Sequence, residues 1–175
     1  MKIEKNSIAE CAADLVENDE TIYIDGSSSA QYLGHFLVNK KGLTVITNNM
    51  LLASYLQKNG IKTYCSGGYV SELPGILAGE ITNNTFSMFH ANKMFFSSAG
   101  FDGGYIYDDS EAYYKHHKIM LENSDKHIFL CGSDKIGIKK KMIVCELNNI
   151  DYFISDGQIS DNIIQKYENT KFISV

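Results

Sequence analysis

The stretch TIYIDGSSS, residues 21–29, decides the fold. Its first four residues are β-branched or aromatic and predict a buried strand that ends at Asp25. Gly26 permits a tight turn into a helix whose first backbone amides have no partners inside the helix. Together with the helix dipole, the hydroxyls of Ser27, Ser28 and Ser29 make this turn favourable for an anion such as phosphate. A simple helix cap followed by surface serines explains the pattern equally well.

Helices and short apolar strands alternate on both sides of this stretch. Apolar residues at helical spacing, from Ile8 to Val16, predict a helix before it. Further strands are predicted at residues 43–47, 61–65, 93–97, 127–131, 142–145, 152–155 and 171–175, with helices near 30–37, 51–56, 83–90, 110–121 and 161–167. This alternation implies crossover connections. We therefore expect one α/β domain over residues 1–175, with a mostly parallel sheet covered by helices on both faces.

Polar or small residues follow several of these strands, where sheets of this kind bind ligands. The candidates beyond the first turn are Thr47, Asn48, Asn49, Gly67, Gly68, Ser98, Gly100, Asp102 and Lys135. Amides and hydroxyls suit sugar hydroxyl groups, glycines allow close approach, and a lysine suits a phosphate as a point charge. Each has a plainer explanation in a helix cap, a turn or a solvated surface residue.

Composition excludes several classes of function. The formal net charge is -5, and residues 139–141 form the only basic run, which we interpret as a solvated loop. The chain by itself should therefore bind DNA poorly. No apolar stretch approaches the roughly 20 residues of a membrane span, and no signal peptide is evident, so we expect a cytoplasmic protein.

Cysteine and histidine patterns give no metal site. The four cysteines are widely separated, and Cys65 and Cys131 fall in apolar runs that predict buried, reduced core thiols. His116 and His117 are adjacent and should point to different parts of a helix surface. Each histidine is interpreted as an ordinary surface or half-buried side chain, and we expect no metal and no cofactor.

Taken together, these motifs resemble the C-terminal effector-binding domain of DeoR-family transcriptional regulators. The resemblance rests on the order of the segments IDGSSS (24–29), VITNN (45–49), SGG (66–68), Gly79, FSSAGFD (96–102), SDKIG (133–137) and ISD (154–156). It covers nearly the whole chain. Serines stand where the family usually has two threonines in the first loop, and Gly132 stands where the family usually has an aspartate.

The resemblance implies a Rossmann-like fold related to ribose-5-phosphate isomerase. It also implies a phosphorylated sugar or related metabolite as effector, self-association, and DNA contact only through the family's winged helix-turn-helix, which we do not find in this sequence. Carried over by position, the ligand residues are Asp25, Gly26, Ser27, Ser28, Ser29, Thr47, Asn48, Asn49, Gly67, Gly68, Ser98, Gly100, Asp102 and Lys135.

An enzyme on the same type of fold is the alternative to a sensor. A sugar-phosphate isomerase or a deaminase would use Asp102, Glu111 and Lys135 as acid, base and electrostatic partner. The sensor is favoured because the resemblance is to regulators and because spacing alone reveals no acid–base pair.

Overall fold

A computed structural model describes residues 2–175 of the protein. Its helices are α1 (Lys2–Asp14), α2 (Ser28–Leu33), α3 (Met50–Lys58), α4 (Glu80–Ser87), α5 (Glu111–Glu122) and α6 (Asp161–Lys166). Its strands are β1 (Thr21–Ile24), β2 (Thr44–Thr47), β3 (Lys62–Cys65), β4 (Tyr69–Val70), β5 (Leu77–Ala78), β6 (Ala91–Phe96), β7 (Gly100–Asp102), β8 (Tyr105–Asp108), β9 (Ser124–Cys131), β10 (Met142–Glu146), β11 (Tyr152–Ser155) and β12 (Lys171–Ser174).

Seven strands form one parallel sheet in the order β12-β11-β9-β6-β1-β2-β3. The order reverses direction at β1: the strands that follow it, β2 and β3, lie on one side, and β6, β9, β11 and β12 lie on the other. A crevice opens at the carboxyl ends of strands at such a switch point. The predicted Rossmann-like α/β class is confirmed.

Two apolar clusters cover the two faces of this sheet. On one face, α1, α2 and α3 pack side chains such as Ile8, Leu33 and Leu52 against the sheet. On the other face, Phe86 of α4 and Met120 of α5 pack on sheet side chains. The side chains of the central strands are buried on both faces, which is why those strands read as apolar runs in the sequence.

A small antiparallel sheet, β10-β8-β7, lies over the second face. The sequence predicted only β10 of these three strands. Residues 98–104, which include the candidate ligand residues Ser98, Gly100 and Asp102, lead into the β7–β8 hairpin and form part of it. Gly103 and Gly104 have φ values of 60° and 90° and provide its turn.

Three further expectations need correction. Cys65 is exposed, because β3 is an edge strand with one neighbour in the sheet. α4 begins at Glu80 and ends at Ser87, since the chain enters the helix from Gly79, whose φ is 101°. His116 and His117 are both buried. None of the helices in residues 2–175 has the length and apolar character that a membrane crossing requires.

Candidate functional site

A cavity of about 240 Å³ opens at the carboxyl edge of the parallel sheet, where β1 and β6 meet. The segments after β1, β6 and β9 form part of its wall, and β8, the start of α5 and the 71–75 loop form the rest. The lining residues are Asp25, Gly26, Ser27, Ser28, Leu73, Ser97, Ser98, Ala99, Asp108, Asp109, Tyr113, His117 and Lys135.

Asp25 holds the loop after β1 in shape. Its Oδ1 accepts from the amide and the hydroxyl of Ser27 at 3.1 and 2.6 Å, and its Oδ2 accepts from the amide of Ser97 at 3.2 Å. The Ser27 hydroxyl in turn accepts from the amide of Ala30 at 3.2 Å and caps α2. The carboxylate thus joins the ends of β1 and β6.

Groups of the protein itself therefore bind only some of the backbone amides at the start of α2. The amides of Ser27 and Ala30 are bonded as described. Within residues 2–175, no acceptor binds the amides of Ser28 and Ser29. The Ser28 side chain lies at the cavity, whereas Ser29 is buried.

His117 lies between two buried carboxylates. Its Nε2 is 3.0 Å from Asp25 Oδ2, and its Nδ1 is 3.0 Å from Asp108 Oδ2. Burial alone lowers the pKa of the imidazole, but the hydrogen bonds and charges of Asp108 and Asp25 outweigh burial and raise this pKa to about 9. His117 is therefore a cation at neutral pH, and it ties α5 to β1 and β8.

The neighbouring His116 has the opposite character. It is buried, it packs edge-on against Phe86 and Tyr113, and neither ring nitrogen has a hydrogen-bond partner within the described part of the chain. Burial and the charge of His117 lower its pKa to about 4. His116 is therefore a neutral core residue.

Lys135 brings a positive charge to the cavity. Its Nζ donates to Ser97 Oγ at 2.7 Å. Burial lowers the pKa of this ammonium group from its ordinary value. Asp156, which follows β11, accepts hydrogen bonds from the amide and the hydroxyl of Ser133 at 2.7 and 2.9 Å. These bonds fix the turn after β9, which carries Lys135. The end of β11 thus helps to position Lys135.

The fold brings six of the fourteen predicted ligand residues together. These are Asp25, Gly26, Ser27, Ser28, Ser98 and Lys135, all of which line the cavity. They come from three loops that are distant in sequence and adjacent at the sheet edge. Their spatial convergence agrees with the expectation that ligand groups follow parallel strands.

Residues 47–49 are instead used by the protein itself. Thr47, Asn48 and Asn49 are buried. The Asn48 side-chain amide donates to the carbonyl of Leu77 at 2.9 Å, which holds β5. The Asn49 side-chain oxygen accepts from two amides at 3.0 Å and caps α3. None of the three lines the cavity.

The remaining predicted residues also lie away from the cavity lining. Gly68 has a φ of 127°, and the carbonyl of Gly67 accepts from Thr82. Gly100 is packed against the backbone of Ile138, and Asp102 forms an ion pair with Lys139 at 3.4 Å. Ser29 is buried within α2.

Seven lining residues were missing from the predicted site: Leu73, Ser97, Ala99, Asp108, Asp109, Tyr113 and His117. One signal for His117 was present in the sequence. It lies four residues after Tyr113 and three before Met120, on the apolar stripe of α5. A polar residue on a core-facing stripe needs a buried partner. The partners, Asp25 and Asp108, are identified only by the fold.

The family model and the curated relatives that match this chain agree with one another. The model of the DeoR C-terminal sensor domain matches residues 2–157. The HTH-type transcriptional regulator YulB of Bacillus subtilis is 32% identical over 173 residues, covering 97% of this chain and 66% of YulB. The lactose phosphotransferase system repressor of Staphylococcus epidermidis is 33% identical, covering 94% and 65%. The chain thus spans slightly less than two thirds of the length of these relatives.

Solved structures show the same fold at low sequence identity. Ribose 5-phosphate isomerase from Plasmodium falciparum has a TM-score of 0.56 at 14% identity, covering 78% of this chain and 53% of the isomerase. The β subunit of eIF2B from Chaetomium thermophilum has a TM-score of 0.60 at 14% identity, covering 85% and 47%. At such identities the likeness establishes fold alone.

Proposed function

This chain belongs to the DeoR C-terminal sensor domain family, and from that premise we propose that it binds a phosphorylated sugar or a related metabolite in the cavity at the sheet edge. Binding would modulate DNA binding by a helix-turn-helix domain attached to it. A ligand can shift such an equilibrium only if it binds two arrangements of the regulator with unequal affinity.

The observation that carries the proposal is that Lys135 brings to the cavity an ammonium group without a carboxylate partner among the described residues. This half-buried ammonium group faces the cavity, is bonded to a serine hydroxyl, and forms no ion pair with any carboxylate in residues 2–175. At an effective dielectric constant of about 20, a unit charge 4 Å away interacts with it by roughly 4 kcal/mol. An entering phosphate therefore gains more from Lys135 than from a solvent-exposed lysine.

The carboxylates of the cavity do not rule out an anion, because their charge is already engaged. Asp25 accepts hydrogen bonds from two amides, a hydroxyl and His117, and Asp108 accepts from the same imidazolium ring. Asp109 pairs with Lys140 at 3.3 Å. The phosphate is thus expected near Lys135 and Ser28.

A second cavity, of about 600 Å³, adjoins the first and shares Leu73, Asp109 and Tyr113 with it. It adds an aromatic ring, a carboxylate and hydroxyls from Tyr69, Glu72, Ser71 and Ser110. Such groups suit the faces and hydroxyls of a sugar. We assign the unphosphorylated part of the ligand to this side.

The relatives' names support a sugar-linked role. They include the lactose phosphotransferase system repressor of Staphylococcus epidermidis and the L-fucose operon activator of Haemophilus influenzae, the latter 29% identical over 165 residues. The enzyme alternative is less well supported. Of its three proposed residues only Lys135 lines the cavity; Asp102 pairs with Lys139, and Glu111 pairs with Lys115 on the helix surface.

The first experiment is a thermal-unfolding panel of ribose 5-phosphate, glucose 6-phosphate, fructose 1-phosphate and the corresponding free sugars. A ligand at 100 times its Kd stabilises the folded state by about 2.7 kcal/mol. We expect stabilisation by at least one phosphorylated sugar, none by its free counterpart, and no turnover when products are followed by NMR. Stabilisation by none would contradict the proposed function, and turnover at an enzymatic rate would establish the enzyme instead.

The second experiment replaces Lys135 by methionine. Loss of one charge-assisted hydrogen bond should weaken binding by about 1.5–3 kcal/mol, measured by calorimetry with the best ligand of the panel. The matched control is Lys58→Met, which removes an exposed lysine from the last turn of α3. The loss should be larger at low salt than at high salt. An equal loss for both variants would mean that Lys135 acts only through the net charge of the protein.

Self-association is a separate part of the proposal. Val70 and Ile81 are 57% and 62% exposed, and they come from β4 and the first turn of α4. Apolar side chains exposed on both of these elements suit an interface between copies. Light scattering at increasing protein concentration should show an oligomer, and a monomer at all concentrations would contradict this part.

A further inference from the structure

His117 lines the cavity, yet both of its ring nitrogens are already bonded to the protein. Its side chain is 2% exposed. Nε2 lies 3.0 Å from Asp25 Oδ2, and Nδ1 lies 3.0 Å from Asp108 Oδ2. The ring therefore has no N–H left for a ligand, and any effect of His117 on a bound ligand must pass through these two carboxylates.

The two bonds together require a protonated ring, because a neutral imidazole has one N–H and an ionised carboxylate only accepts. The other charged residues of the lining are three carboxylates, Asp25, Asp108 and Asp109, and one ammonium group, Lys135. The cation of His117 thus reduces the excess of negative charge that a phosphate meets in the cavity. In a partly buried site, removal of such a charge changes the binding of an anion strongly.

Asp25 relates the position of the ring to two loops. The Oδ2 atom that binds His117 also accepts from the amide of Ser97 at 3.2 Å, and Oδ1 accepts from the amide of Ser27 at 3.1 Å. The hydroxyl of Ser97 in turn accepts from Lys135 at 2.7 Å. The orientation of the Asp25 carboxylate therefore determines how the loop after β1 and the loop after β6 meet.

We propose that His117 is a positioning residue of the cavity: from α5 it fixes the Asp25 carboxylate, and it offsets one of the carboxylate charges beside which a phosphate binds. The identity of the anion as the phosphate of a sugar phosphate rests on the proposed function. The affinity of the cavity for this anion then depends on a side chain that does not itself bind the ligand.

The groups around the ring determine how this affinity changes with pH. Asp25, after β1, and Asp108, on β8, are the charged groups bonded to the ring, and the uncharged ring of Phe96 on β6 packs on it at 5.1 Å. On α5 itself, His116 is neutral, because burial lowers its pKa to about 4. Tyr113 is also neutral, because burial raises the pKa of its phenol.

The ring of His117 keeps its proton at neutral pH, since its two carboxylate partners outweigh burial and raise its pKa to about 9. A bound phosphate favours the protonated ring further. Affinity should therefore fall as the pH rises through about 9. Lys135 also contributes to this fall, because burial lowers the pKa of its ammonium group. A variant that keeps Lys135 separates the two contributions.

The test is calorimetry with ribose 5-phosphate, glucose 6-phosphate and fructose 1-phosphate on wild type, His117→Gln and the surface control His90→Gln, at pH 7.5 and pH 10. At pH 7.5, His117→Gln should bind at least about tenfold more weakly than the wild type, and His90→Gln should match it. The ratio of wild-type to His117→Gln affinity should shrink at pH 10, because Lys135 titrates in both proteins and His117 in the wild type alone.

Hydrogen exchange of the Ser27 and Ser97 amides tests the contact with Asp25 without any ligand, since both amides donate to that carboxylate. His117→Gln should speed exchange at both amides and leave β9 protected, which shows that the variant is folded. If the variant does not fold, the wild type decides: the ¹⁵N titration midpoint of His117 should move upward when a sugar phosphate binds, and an unmoved midpoint would overturn the proposal.

The outcomes separate this proposal from the proposed function. Unchanged sugar-phosphate affinity in His117→Gln, or an affinity ratio that is the same at both pH values, would overturn the positioning role and leave the proposed function standing. If no sugar phosphate binds the wild type, while His117→Gln still speeds exchange at Ser27 and Ser97, the proposed function fails and the hold of His117 on Asp25 stands. If neither effect is seen, both are overturned.

Discussion

Replacement of His117 by glutamine tests whether the site contains a buried imidazolium. The ring nitrogens lie 3.0 Å from Asp25 and 3.0 Å from Asp108, and the two carboxylates are 5% and 6% exposed. A neutral imidazole has one N–H, so only the protonated ring donates to both carboxylates. Glutamine keeps a polar amide of similar size and cannot carry the charge.

The size of the expected change in folding stability follows from the pKa of His117. Hydrogen bonds to the two carboxylates outweigh burial and raise this pKa from 6.5 to about 9. A shift of this size corresponds to on the order of 3 kcal/mol of folding stability. The folded state holds the proton more tightly than the unfolded state. The contribution is therefore complete below pH 6.5 and is lost as the pH rises through about 9.

Urea unfolding at pH 6, 7.5 and 9.5 measures the effect. The difference in unfolding free energy between wild type and His117→Gln should shrink by on the order of 3 kcal/mol from pH 6 to pH 9.5. His90→Gln is the matched control, since His90 contacts Asp125 at 2.8 Å on the surface. Its difference from the wild type should stay small.

Two results would refute the reasoning. One is a difference between wild type and His117→Gln that does not change with pH, because an uncharged ring gives no such slope. The other is an imidazole ¹⁵N titration of His117 with its midpoint at or below pH 6.5.

Three other predictions concern stability and access. Burial lowers the pKa of His116 to about 4, so the unfolding free energy of the wild type should fall by up to about 3 kcal/mol as the pH falls from 6.5 to 4. In urea unfolding, His116→Leu should remove most of this decrease. An unchanged acid sensitivity in the variant would contradict the prediction. Gly68→Ala places a Cβ against the carbonyl of Ala78 at a φ of 127°, so unfolding free energy should fall by about 2 kcal/mol or more, and an unchanged Tm would contradict the geometry. A thiol reagent should label Cys65 in the folded protein and Cys131 only after unfolding, as peptide mass spectrometry can show; equal labelling rates would be inconsistent with their exposures.

The seven strands of the main sheet were predictable because their periodicity is simple. β1, β6 and β9 lie between two helical layers, so apolar side chains are required on both faces and the strands appear as short apolar runs. The hairpin of β7 and β8 was missed because its strands are short and the glycines at its turn look like a loop in sequence. Its pairing depends on contacts with β10, more than 30 residues later.

In the candidate site, too, some features were predictable from the sequence and others were not. By itself, the sequence determined that Asp25, Ser28 and Lys135 follow strands, and parallel strands end at a common edge. It did not determine that Asn48 would hold β5 and Asn49 would cap α3, because an amide that binds the protein itself and one that binds a ligand look alike in sequence.

Only the tertiary structure decided the charge of the site. His117 lies 92 residues from Asp25, and its neighbour His116, with the same side chain, is held neutral. The pKa of a buried group is set by which partners surround it and by how much water is removed, and both depend on the packing of separate layers. Composition and spacing therefore locate the sheet edge at which the candidate site forms, while the fold determines which side chains are charged there.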